Sequence, residues 1–199
     1  MKLNKVLALA LSGVMAVSML AGCSGNGSNN GGSNSGEEQP PVADTTIAGV
    51  LNDKMADEKI DYMSFDYSTE LQAAVEQVLR VNGGLESNTV ENDISNDVAS
   101  YMGVTRTQFT NLNSKKVGTA YAVTTQIEDA VTEEAAKKNI ANAVYELVKD
   151  LEEEQDGQNN TFNYSYSGEV AMVSAEDDGV PVYMAVVIVT CETTASALD

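Results

Sequence analysis

Hydrophobic positions along this chain follow two different periods, and the change from one to the other falls near residue 117. Before it, Leu71, Ala74, Val75, Val78 and Leu79 recur at i, i+3, i+4, i+7 and i+8, which places them on one stripe of a helix. Thr69 and Gln72 have the spacing of a capping box, and Gly83-Gly84 follows the last apolar position, so the pattern predicts an amphipathic helix from about Thr69 to Val81. Upstream, Ile47, Val50, Leu51 and Met55 predict a short helix, weakened by Gly49. Downstream, Val90, Ile94, Val98 and Tyr101 predict a third, from Thr89 to Met102, with Asn88 and Glu91 at its start and Gly103 as its stop.

From Val117 the period drops to two. Val117, Thr119, Tyr121, Val123, Thr125 and Ile127 alternate with Gly118, Ala120, Ala122 and Thr124, and the β-branched content predicts a strand. Thr132 to Glu153 then reads as the strongest helix of the chain, with Ala136, Ile140, Ala143, Val144, Leu147, Val148 and Leu151 as its stripe. The pairs Glu133 with Lys137 and Glu134 with Lys138 support it at i, i+4. Gln155 to Asn160 breaks the pattern, after which Phe162, Tyr164, Tyr166, Val170 and Met172 mark one face of a second strand. Glu176-Asp177-Asp178-Gly179 is turn chemistry, and Val182 to Cys191 forms a last strand that is apolar on both faces. A strand buried on both sides belongs inside a sheet. The prediction is therefore an α+β fold in which N-terminal helices precede a β-α-β-β unit. Its three-stranded, mostly antiparallel sheet has the last strand central, the long helix on one face as a right-handed crossover, and the early helices over part of the sheet or its end.

The first forty residues follow neither period. Lys2 and Lys5 precede an apolar run, Val6 to Leu20, of secretory size and shorter than a membrane span of about 20 residues. The run stops at Leu20-Ala21-Gly22-Cys23, and here the chain resembles bacterial lipoprotein precursors, whose small-residue cleavage site leads directly into a cysteine. The resemblance implies that residues 1–22 are a signal peptide and that the Cys23 thiol carries a diacylglycerol. The mature protein is then anchored to the extracytoplasmic face of the cell membrane without spanning it. Residues 23–41 read as the lipidated cysteine and a disordered glycine, serine and asparagine tether, whose reach is roughly 20 to 25 Å. Residues 42–199 read as one domain with one core. The order and sizes of its segments resemble small uncharacterised lipoproteins of Gram-positive anaerobes, a likeness of layout that carries no functional residue across.

Charge narrows the function. The chain has 11 basic and 30 acidic side chains; removing residues 1–22 takes two lysines and no acid, which leaves 9 and 30 and a formal charge of −21. So acidic a body is repelled by nucleic acid and by anionic headgroups, so nucleic acid is not an expected partner. With Cys23 acylated, Cys191 has no disulfide partner, and the chain contains no histidine, which leaves carboxylate, hydroxyl, lysine or oxygen-ligated cation chemistry.

Three candidates carry that chemistry. Glu152, Glu154, Asp156 and Gly157 mimic positions 1, 3, 5 and 6 of a calcium loop, but Asn163 stands where the bidentate glutamate belongs. The turn from Ser174 to Gly179 fails in the same way, so no metal or cofactor is expected and both stretches read as solvated ends and turns. The third candidate is the row Phe162, Tyr164, Tyr166: facing outward, Tyr164 and Tyr166 form a ligand or partner face, whereas facing the long helix they are core, with Asn163, Ser165 and Ser167 in solvent. The core reading fits the polar alternation better. The expected function is a non-catalytic binding or protein-interaction module for an envelope protein or a cell-wall component. The alternative is a small hydrolase or cation-dependent enzyme that uses carboxylates.

Overall fold

The Thr46 hydroxyl accepts from the N–H of Gly49 at 3.2 Å and so opens helix α1, Ile47–Asp57, which buries Ile47, Leu51 and Met55. It is the first element of a computed structural model that describes residues 46–85, 89–129, 132–177 and 179–197; the lipoprotein-type signal segment, Cys23 and the tether lie outside the described residues. After α1 come β1 (Phe65–Tyr67), α2 (Thr69–Asn82), α3 (Glu91–Tyr101), β2 (Arg106–Thr107), β3 (Gly118–Asp129), α4 (Glu133–Val148), β4 (Glu154–Asp156), β5 (Asn160–Asp177) and β6 (Val180–Ala197).

The α+β class holds, but the sheet has six strands where the sequence predicts three. Its order is β1-β5-β6-β3-β2, with β4 beside the lower part of β5. β6 lies between β5 and β3 and is antiparallel to both, while the short strands β1 and β2 run parallel to β5 and β3. The three added strands are two or three residues long, too short to display a period, and tertiary pairing selects them. Phe65 is held at its outer side by an amide instead of a strand. Asn52 accepts from its N–H at 2.8 Å and donates to its C=O at 2.9 Å.

Helices cover both faces of the sheet, again beyond what the periodicity predicts. α1 and α4 pack on one face over Tyr164, Tyr166, Val170, Ala185, Val187, Val189 and Cys191, and α2 and α3 on the other over Val123, Ala171, Val173, Val182, Met184, Val186 and Ile188. β6 thus supplies alternate residues to two cores, and each fully buried valine contributes roughly 1.5 to 3 kcal/mol. A hydroxyl pair pins α3 to β3. Ser95 Oγ donates to the Glu91 carbonyl at 2.9 Å, so its contact with Thr125 Oγ1 at 2.8 Å has Thr125 as donor, which satisfies both buried groups.

Local details also differ from expectation. The cap of α2 is Ser68, whose Oγ accepts from Leu71 N, and not Thr69; the Gln72 side chain turns to Glu76 instead. In α3 the predicted inward residues Val90 and Tyr101 are exposed, because the packed stripe is Ile94, Ser95, Val98 and Ala99. Asn88 lies outside the described residues. α4 stops at Val148, five residues short of the predicted end, and the chain turns back as β4.

Candidate functional site

Tyr164 and Tyr166 are core residues and do not form a ligand face: their relative exposures are 6% and 8%. The strand alternation turns both rings under α1 and α4, where Tyr166 meets Tyr62 at a ring-centroid distance of 5.7 Å. Each hydroxyl has a partner. Tyr164 donates to Gln155 Oε1 at 3.2 Å, Tyr166 to the Glu152 carbonyl at 2.6 Å and Tyr62 to the Val148 carbonyl at 2.8 Å. Three phenols therefore clasp the segment that leaves α4. Cys191 is buried in the same layer, and burial pushes its thiol above the ordinary range.

Burial also raises the Tyr166 hydroxyl, with Cys191 and the neighbouring tyrosines adding to the shift. Below about pH 10 the phenol is neutral in both the folded and unfolded states; above it the unfolded chain releases a proton that the folded chain keeps, so stability falls as pH rises. Tyr166→Phe is expected to cost about 1 kcal/mol at neutral pH through the lost hydrogen bond. Its melting temperature should decline less steeply than that of the parent above pH 10. Thermal melts from pH 7 to 11.5 check this, and parallel curves would contradict it.

The acidic stretch that mimics a calcium loop is a β-hairpin. Glu154 and Asp156 occupy alternate, exposed positions of β4 opposite Asn163 and Thr161, and Asp156 Oδ1 accepts from Thr161 Oγ1 at 3.0 Å. The Lys115 ammonium donates to the carbonyl of Asp156. Among the described residues, no three His, Cys, Asp or Glu side chains are grouped to hold a metal ion. The second acidic turn joins β5 to β6, with Asp177 opposite Val180 and Gly179 at φ +85°, the left-handed backbone such a two-residue connection needs. Asp178 lies outside the described residues.

A different surface emerges where the helices stop. On the α2/α3 face, β5 changes from Ala175, Val173 and Ala171 to the exposed Glu169, Ser167, Ser165 and Asn163, and β6 changes from Ile188 to Thr190, Glu192 and Thr194. Register aligns these residues in rows: Ser167 with Thr190 and Tyr121, Ser165 with Glu192 and Thr119, and Asn163 with Thr194. Thr190 and Tyr121 are half-buried and the other six are exposed. Strand geometry spaces the rows by roughly 6.7 Å along the strands and the columns by about 4.8 Å. The result is a regular grid of hydroxyl, amide and carboxylate groups, bordered by one aromatic ring.

No family model, curated protein or solved structure matches the chain. The site must therefore be argued from its own chemistry. A second feature is a recess of about 300 Å³ between the end of α2 and the start of α3, lined by Asn82, Gly83, Gly84, Thr89, Val90, Asp93 and Ile94. Asn82 Nδ2 donates to Asp97 Oδ2 at 2.9 Å and ties the two helices beside it. Among the described residues the recess presents a single carboxylate, Asp93, and no paired acid and base.

The signal for the polar half of the grid is legible in the sequence as the alternation of Asn163, Ser165 and Ser167 with the aromatic row. Its extension across Thr190, Glu192, Thr119 and Tyr121 is not, because it exists only once β6 and β3 are in register.

Proposed function

We propose that the mature chain is a lipid-anchored extracytoplasmic protein acting as a non-catalytic binding module, and that a neutral wall polysaccharide lies across the uncovered end of its sheet. The grid of Asn163, Ser165, Ser167, Thr119, Thr190, Glu192 and Thr194 beside Tyr121 carries this reading. Sugar hydroxyls need closely spaced donors and acceptors, and a pyranose face suits a half-exposed tyrosine ring. An extended row of exposed groups suits a long polymer better than a small solute, which needs a concave site to bury most of its area. The formal charge of −21 after removal of residues 1–22 disfavours anionic polymers and selects neutral ones. A lipid on Cys23, followed by a glycine-, serine- and asparagine-rich stretch, would keep this surface within reach of material just outside the membrane.

The test is cosedimentation with purified cell-wall polysaccharide, using the mature chain carrying Cys23→Ser. Ser165→Arg combined with Thr194→Arg fills the grid at two exposed positions. It should leave the melting temperature unchanged and weaken binding about tenfold, which corresponds to 1.4 kcal/mol. Equal sedimentation of parent and variant, or none of either, would remove the support for a glycan surface here.

A further inference from the structure

Side chains or short strands hold outward backbone groups along several stretches of the sheet's edges, whereas the upper part of β5 has no such cover among the described residues. On β3 side chains hold three outward backbone groups: Arg106 Nε donates to the Val123 carbonyl at 2.9 Å, Gln126 Nε2 to the Thr125 carbonyl at 2.9 Å, and Glu91 Oε1 accepts from Ile127 N at 3.2 Å. On β1 the Asn52 amide takes both groups of Phe65. The lower part of β5 is covered by β4, where Tyr164 N donates to the Glu153 carbonyl at 2.8 Å. Bare edges invite pairing, and side-chain closure of this kind is how sheets prevent it.

The upper part of β5 is different. Gly168 N donates to Ser64 O and Val170 O accepts from Ser68 N, so even-numbered residues of β5 aim their backbone groups at the β1 edge. The same alternation aims the N–H and C=O of Met172 and Ser174 outward, past the point where β1 ends at Tyr67. No described residue bonds them, and both side chains are partly exposed. One helical turn beyond Ser68, Gln72 Oε1 is a buried acceptor without a hydrogen-bond partner. The border is acidic: Asp66 and Glu70 are exposed and Glu76 is half-buried.

We propose that the Met172–Asp177 edge of β5 is a strand-addition site for an extended, lysine-rich segment of a partner protein. Strand addition supplies the missing hydrogen bonds to Met172 and Ser174, and the acidic border selects a cationic strand. A second copy of this chain is disfavoured as the added strand, because antiparallel pairing of two such edges would bring two acidic borders together. This surface is separate from the polysaccharide grid, which lies on the face of the sheet, and it stands whether or not glycan binds.

The probe is a ten-residue peptide alternating lysine and valine, titrated into the mature chain carrying Cys23→Ser. Hydrogen exchange should slow at the amides of Met172 and Ser174 when the peptide is bound. A control peptide with N-methyl groups on alternate residues keeps the charge and removes the strand donors, and it should bind at least about tenfold more weakly. Ser174→Pro deletes an outward N–H from an edge strand, a position where proline is tolerated, and should abolish the exchange protection at Met172 without moving the melting temperature. The proposal is overturned by equal binding of the two peptides, which would leave charge attraction alone, or by unchanged exchange at Met172 and Ser174 under saturating peptide.

Discussion

Gly168→Ala is expected to lower the stability of this chain by about 2 to 3 kcal/mol, at the upper end for an overpacked core site. A β-carbon there would stand 2.5 Å from Cε1 and 3.0 Å from Cγ of Phe65, with Cδ1 nearer still. The usual escape is for the neighbour to move, and here it cannot. Phe65 is 1% exposed, its backbone N–H and C=O are both held by Asn52, and Gly168 N is held by Ser64 O at 2.9 Å. The glycine therefore exists for close approach of a ring across the β1–β5 pair. Phe65→Ala alone should cost about 3 to 5 kcal/mol because it leaves a cavity. Combined with Gly168→Ala, however, the new methyl occupies part of that cavity. The double variant should be more stable than the sum of the two single effects predicts, by about 1 to 2 kcal/mol. Urea unfolding of the four proteins measures this coupling. Strict additivity would show that the ring does not limit the size of residue 168.

How much of this arrangement is legible in the sequence depends on the length of the element. The stripe of Leu71, Ala74, Val75, Val78 and Leu79 specifies α2, and all five residues are buried as predicted. The run Val186 to Val189 is apolar on both faces, and it lies between β5 and β3 with both faces covered. Phe65 carries no comparable signal, since a three-residue strand with one buried side chain has no period to detect. Glycine at 168 gives no hint of its partner, because the two positions are about a hundred residues apart and meet only through parallel pairing.

The end of α4 shows why local pattern misplaces a boundary. Leu151 continues the apolar stripe and is buried, so the sequence extends the helix to Glu153. The chain nonetheless leaves the helix after Val148, because tertiary partners take the carbonyls beyond it: Tyr166 binds that of Glu152, and the backbone N–H of Tyr164 binds that of Glu153. Hydrogen bonds from residues of β5 override a propensity worth only tenths of a kilocalorie per residue. The exposed grid obeys the same logic. Ser165 and Ser167 are recognisable as a polar face, but Glu192 and Thr119 join them only through register.

Cys23→Ala is expected to shift the protein from the membrane fraction to the medium or soluble fraction and to abolish incorporation of labelled fatty acid. The size of the effect follows from the proposed anchor. Each buried methylene contributes roughly 0.8 kcal/mol, so a diacylglycerol holds far more firmly than one acyl chain, which alone binds only marginally. No described element substitutes for it. Among the described residues no helix is long and apolar enough to cross a membrane, and the acidic surface is repelled by anionic headgroups. The run Val6 to Leu20 has 15 residues, about 22 Å as a helix against a hydrocarbon core of about 30 Å. The two readouts separate the rival accounts. Loss of both label and membrane association supports the lipid anchor on Cys23. Loss of label with an unchanged membrane fraction would mean that residues 1–22 hold the protein by themselves, and retained label on the variant would place the acyl group elsewhere. In either case the tether would no longer begin at Cys23, and the reach assigned to the sheet's polar face would have to be recalculated from a different origin.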